Sequence, residues 1–213
     1  FRSASLNKLS SEAQDSLRKL GLATVVDLRL SSEVEEEPSV FAASTEPPIY
    51  VHIDILIDGE PRPDPPAELA PEMRIAESYK FWLEERQPGI RAALETFARP
   101  GALPCLFNCA AGKDRTGIIA ALLLGLAGVP DETIVDDYAL SASCLWERDR
   151  NTFRAKHGDD VSLEYFQRTY SPPKTMEAVL AYLRERYGGP VEYVATIGVS
   201  GNDARVLRSN LRA

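Results

Sequence analysis

Cys109 opens the run Cys109-Ala110-Ala111-Gly112-Lys113-Asp114-Arg115-Thr116-Gly117, which sets a thiol six positions ahead of a guanidinium with small residues between them. Upstream, Ala102 to Phe107 has the short apolar character of a buried strand. Downstream, Ile118 to Leu124 begins an apolar helix, so the segment between is read as a strand-to-helix turn. The free amides of a helix's first turn and its small dipole favour an anion, and Gly112 lets the backbone bend around one. Phosphate suits such a loop. Arg115 can grip two phosphate oxygens through its planar fork, and Lys113 adds a second, point-like charge. Ala110, Ala111, Gly112, Lys113, Asp114 and Thr116 are therefore the expected phosphate-binding residues.

The same groups act on the thiol, because a cysteine facing backbone amides and a guanidinium is stabilised as thiolate. Attack by Cys109 on a phosphomonoester yields a cysteinyl phosphate, which water hydrolyses in a second step. Thr116 follows the arginine, where its hydroxyl can donate to the departing sulfur. With Arg115 and the amides carrying the developing charge, this scheme asks for no metal and no cofactor. A cysteine six before an arginine is common by chance; the strand, the small residues, the basic pair and the apolar helix together give it meaning. Cys105 precedes Cys109 by four positions on one strand, about 13 Å away. No disulfide can join them there. Cys105 and Cys144 are expected in the core.

At these residues the chain resembles the cysteine-dependent protein tyrosine phosphatases, specifically the bacterial tyrosine and lipid phosphatases whose loop reads HCxxGKDRTG, matched from Cys109 through Gly117. Phe1-Arg2-Ser3-Ala4 resembles that family's "YRSA" opening, and Val26-Asp27-Leu28-Arg29 with Glu33 resembles its "DLR…E" segment. Asp137-Tyr138-Ala139-Leu140-Ser141 and the stretch from Gly188-Gly189 to Gly198-Val199 look like its closing helices. Two features depart from the pattern: Asn108 stands where the family usually has histidine, and the sequence begins at Phe1 without the "NFRDLGG" segment that the family usually carries just upstream. The resemblance implies a metal-independent phosphomonoesterase with Cys109 as nucleophile and Arg115 as phosphate clamp. Its substrates would be phosphotyrosine proteins, with phosphoinositides also in range. A phosphate-binding module with little turnover is the alternative. A rhodanese-like sulfurtransferase fits less well, since its loop usually has one fewer residue before the basic partner and lacks Thr116-Gly117.

The resemblance also implies a general acid that protonates the leaving oxygen, usually an aspartate on a separate loop after another strand. Ile49 to Ile55 alternates as a strand, and Asp58 follows it at the start of a loop holding Gly59, Pro61 and Pro63. Asp58 is the first choice for the acid, Asp54 the second and Asp114, inside the loop, the third.

The elements that must position these residues alternate as in a parallel α/β fold. Ser10 caps a helix to about Leu20, stopped by Gly21, and Thr24 to Leu28 is a strand. Glu60 to Pro71 is a proline-rich surface loop. Ile75, Tyr79, Trp82 and Leu83 mark a helix ending near Gln87-Pro88-Gly89, and Ile90, Leu94 and Phe97 mark the next. A helix from Asp131, a stripe over Met176 to Tyr187 and a capping box at Ser200 make the C-terminal third helical. Asn151 to Pro173, weakly periodic and aromatic, is either a lid over the site or a packed connection. The expected fold is a central, mostly parallel sheet flanked by helices, protein tyrosine phosphatase-like, in one domain spanning 1–213.

The 213 residues carry a net charge of −8, which disfavours nucleic acid as a partner. Acidic stretches such as Glu33 to Glu37 are read as a solvated face. Arg148, Arg150, Arg154 and Lys156 are read as a mixed-charge helix face or as lining the phosphate's approach. No apolar run is long enough for a membrane span. Two histidines, His52 and His157, are too few and isolated for a metal site. Three cysteines suit a reducing compartment, and a cytoplasmic location is expected.

Overall fold

The structure, a computed structural model, describes residues 1–212. Four short parallel strands form one sheet in the order β1-β4-β2-β3: β1 (Arg2–Ser3), β2 (Thr24–Asp27), β3 (Ile49–His52) and β4 (Cys105–Asn108). Register aligns their C-terminal ends. Asp27 lies beside both Asn108 and His52, and Ser3 lies beside Asn108. The turns that leave these strands therefore gather along one edge, where ligands of open parallel sheets bind.

Alternate residues serve opposite faces. Val26, Cys105 and Phe107 join the main core with the surrounding helices, whereas Val25 and Leu106 join a smaller one with Leu6, Leu22 and Phe41. Between the strands run α1 (Ser11–Lys19), α2 (Ser31–Glu36), α3 (Pro71–Glu85) and α4 (Gln87–Ala98). After β4 come α5 (Asp114–Ala127), α6 (Asp131–His157), α7 (Leu163–Tyr170), α8 (Pro173–Tyr187), α9 (Pro190–Thr196) and α10 (Gly201–Asn210). The helix α5 is buried along most of its length, from Thr116 through Leu123 and again at Leu126, and packs against α4, α6, α9 and α10. Gly128, left-handed at φ 77°, ends it. Ser10 and Ser200 cap α1 and α10 through the amides of Ala13 and Asp203.

Several elements differ from the sequence-based expectation. β3 stops at His52 because it is the sheet's edge strand and gains one-sided support, so Ile49 is exposed and Ile53 to Asp58 turns away. α3 ends at Glu85, near Gln87-Pro88-Gly89 as expected, but those three residues themselves open α4, since proline is compatible with a helix's first turn. Asn151 to His157 extends the 27-residue α6, and only the segment after Gly158 connects it to α7. Arg2–Ser3, unassigned from sequence, completes the sheet. Cys144 is exposed on α6 and is not a core residue, whereas Cys105 is buried.

Candidate active site

Cys109 directly follows β4 and is buried at the C-terminal edge of the sheet. Among the described residues, the backbone amides from Ala110 through Thr116 donate to no protein acceptor. The first bond downstream runs from the Gly117 amide to the Lys113 carbonyl, 2.8 Å. The loop thus presents a run of unpaired donors at the start of α5. Gly112, at φ 70°, lets it pass the N-terminal strand: a Cβ there would lie 2.4 Å from the Ser3 carbonyl oxygen. The Ala110 carbonyl accepts from the Ser5 amide at 3.2 Å and from Arg148 Nη1 at 3.3 Å, which holds the loop's outer side.

Arg115 is fixed by Glu33, whose two carboxylate oxygens accept from Nη1 at 2.5 Å and Nη2 at 3.0 Å. Burial works against the guanidinium's charge, but Glu33, the nearby Cys109 and Asp114 outweigh it and raise its pKa. Glu33 is likewise held below the ordinary carboxylate range: burial opposes ionisation, and hydrogen bonds from Arg115 and the Leu30 amide more than offset it. Glu33, read in sequence both as part of the "DLR…E" segment and as part of a solvated acidic face, is only half-buried but belongs to the site; Glu35, Glu36 and Glu37 are the solvated residues. No charge pattern distinguishes it from its neighbours.

Behind the nucleophile lies a buried polar cluster. Asp27 accepts from Arg29 Nη2 at 2.7 Å, Tyr50 Oη at 3.1 Å and Asn108 Nδ2 at 3.2 Å. Asn108 thus ties the strand beside Cys109 to β2, while its side-chain Oδ1 is buried without a partner, as is the Thr116 hydroxyl. Arg29 is 2% exposed and donates through Nη1 to the carbonyls of Glu33 and Glu37, bracing α2.

The three candidate acids sit in different surroundings. Asp114 accepts a short hydrogen bond from Tyr79 Oη, which in turn lies 3.1 Å from Tyr138 Oη in the core. Asp54 accepts from the Ser31 amide at 2.9 Å and the Ser31 hydroxyl at 3.1 Å. Asp58 accepts from the Ser32 amide at 2.7 Å. Hydrogen bonds from Ser32, and then from the Gly59 amide, hold the Asp58 carboxyl below its ordinary range despite its exposure. Such bonds favour the anion. Neither Asp54 nor Asp58 bonds to the Cys109 loop.

Lys113 turns toward α7. Its ammonium donates to the Tyr170 carbonyl at 2.9 Å and stands 4.3 Å from the centre of the Tyr170 ring. Beside it is a recess of about 730 Å³ with Arg148, Lys156, Phe153, Tyr165 and Tyr170 among its walls. Arg148 is paired with Asp149 and Arg150 with Glu147, so α6 is in part the mixed-charge face expected. His52 packs Nε2 against the Arg29 carbonyl and His157 stacks on Phe153. No group of residues suited to a metal ion occurs among the described residues.

A model described as the tyrosine phosphatase family matches residues 1–213. The chain belongs to that family. It is 34% identical to a tyrosine-protein phosphatase of Nostoc commune over 99% of this chain and 73% of the relative. It is 29% identical to the triple specificity protein phosphatase PtpB of Mycobacterium tuberculosis, over 99% of this chain and 90% of the relative. A putative tyrosine-protein phosphatase of Cupriavidus necator is 33% identical over 65% of this chain. The chain is thus a phosphatase, with a phosphorylated substrate, on a parallel α/β sheet flanked by helices. None of its described helices is long and apolar enough to cross a membrane.

Proposed function

We propose that this phosphatase hydrolyses phosphotyrosine in proteins through a cysteinyl-phosphate intermediate on Cys109. The observation that carries the reading is the run of unpaired amides from Ala110 to Thr116 around a buried cysteine, closed by an arginine that Glu33 holds in place. In the first step the Cys109 sulfur forms a bond to phosphorus as the bond from phosphorus to the ester oxygen breaks. Arg115 and the loop amides take the charge on the non-bridging oxygens, where preorganised donors act most strongly. The leaving oxygen takes a proton from an acid. In the second step water attacks phosphorus and the sulfur leaves, with the Thr116 hydroxyl available to donate to it.

Asp114 is taken as the acid on position: it lies in the loop itself, whereas neither Asp54 nor Asp58 bonds to the loop. Aromatic Phe153, Tyr165 and Tyr170 beside Lys113 suit the aryl ring of a phosphotyrosine. The basic Arg148 and Lys156 in the same recess support a second reading, a phosphoinositide headgroup.

The test is hydrolysis of an aryl phosphate by the wild type and by Cys109→Ser, each with and without EDTA. The serine variant is expected to lose roughly 10³-fold or more in kcat. EDTA is expected to leave the wild type unchanged. Turnover that survives Cys109→Ser would remove the thiol mechanism. Phosphotyrosine peptides, phosphoserine peptides and phosphoinositides compared by kcat/KM then decide the substrate class.

A further inference from the structure

The loop 53–59, which sequence reading marks as the source of the acid, also contacts the start of α2. α2 is six residues long, too short to hold its shape alone, yet it carries Glu33 and so sets where the Arg115 guanidinium points. Its C-terminal end is braced by Arg29. Its N-terminal end is held by two carboxylates from the turn after β3: Asp54 accepts from the amide and hydroxyl of Ser31, and Asp58 accepts from the amide of Ser32.

That turn is built to do this. Asp54 also accepts from the amides of Ile57, at 2.9 Å, and Asp58, at 3.0 Å, so one carboxylate organises both the turn and the helix. Ile57 sits at φ 60°, a left-handed conformation that a β-branched residue rarely adopts. The strain is retained where it delivers the Asp58 carboxylate to the Ser32 amide.

We propose that Asp54 and Asp58 are positioning residues for phosphate binding: they clamp the first turn of α2 and, through Glu33, aim Arg115 at the phosphate. The proposal rests on Arg115 as the phosphate clamp and goes beyond it in assigning what orients that clamp. Asp58 acts through its capacity to accept a hydrogen bond and transfers no proton.

The experiment combines orthovanadate, as a phosphate mimic, with aryl phosphates of graded leaving-group basicity. Asp58→Ala is expected to raise the orthovanadate inhibition constant and KM about tenfold, less than the ~10²-fold of a full 1 Å misplacement. The dependence of kcat on leaving group should stay as in the wild type. Asp58→Asn, whose amide oxygen can still accept from Ser32, should recover most of the loss. In a Glu33→Gln background, Asp58→Ala should add little, because both changes act on one path.

A steeper leaving-group dependence in both Asp58→Ala and Asp58→Asn would overturn the proposal in favour of an acid. Unchanged orthovanadate affinity, or an undiminished Asp58→Ala effect in the Glu33→Gln background, would overturn it outright. Asp54→Asn is measured alongside, with thermal unfolding to verify folding; Asp58 decides the result if Asp54→Asn does not fold. Arg115→Lys is the separate arm for the parent reading: orthovanadate binding that survives it sinks the clamp itself, whatever Asp58 does.

Discussion

Glu33 is the residue on which the charge balance of the site turns. It is half-buried and shares both oxygens with Arg115, and its ionisation is favoured by that partner and by the Leu30 amide. Its folded pKa lies below the ordinary value of 4.5, so the unfolded chain takes up this proton first as pH falls. The stability it contributes is fully present above about pH 4.5 and is lost as pH drops through the folded value. The difference in melting temperature between wild type and Glu33→Gln should accordingly be largest near neutral pH and shrink below about pH 4.5. A difference that stays constant from pH 7 to pH 3 would show that the pair contributes nothing through ionisation. The cysteines divide in the same residue-by-residue way: burial pushes the Cys105 thiol up to about 12, which makes it inert at neutral pH, while Cys144 lies exposed on α6.

At the scale of elements, the loop is held by neighbours of unequal strength. β1 is fastened through the sheet and through the close passage of Ser3 over Gly112. α7 packs chiefly against α6, through Phe166, which lies against Trp146, Phe153 and Tyr170 and is fully buried. Its link to the loop is Lys113, bonded to the Tyr170 carbonyl. Phe166→Ala removes a core aromatic, a change that costs about 3–5 kcal/mol where the whole domain depends on the site. Because α7 borders little beyond α6, the loss should fall on local opening. Hydrogen exchange is expected to accelerate across 163–170 while the amides of β2 and β4 keep their protection. Equal acceleration in β2 and β4 would mean that α7 opens only with the whole fold.

At the scale of the molecule, a tie far apart in sequence joins the first strand to the helical C-terminal third. Arg2 donates to the Asp137 carboxylate at 2.6 Å, to the Asp137 carbonyl at 2.8 Å and to the Ser141 hydroxyl at 2.9 Å. Arg2→Met keeps the aliphatic stem and deletes these bonds, leaving partly buried acceptors unpaired. A loss of about 1–3 kcal/mol is expected in denaturant unfolding. An unchanged midpoint would show that water replaces the guanidinium without cost.

Much of this was legible in the chain, for identifiable reasons. The reactive loop is contiguous, so the spacing of Cys109, Gly112 and Arg115 and the apolar run after them specify a strand-turn-helix with an anion site. Helix caps at Ser10 and Ser200 were equally readable, because a cap is decided within four residues. What sequence could not supply is which carboxylates meet which donors across the fold. Glu33 stands among four other acidic or aliphatic neighbours of similar character, and only the packing of α2 against the sheet edge brings it to Arg115. Asp58, Asp54 and Asp114 have the same side chain, and each also meets a partner 23 to 35 residues away in the chain that local pattern does not reveal. Local pattern determined the chemistry of the Cys109 loop. Tertiary structure decided what holds it, because hydrogen bonds between distant segments exist only after the strands have aligned their ends.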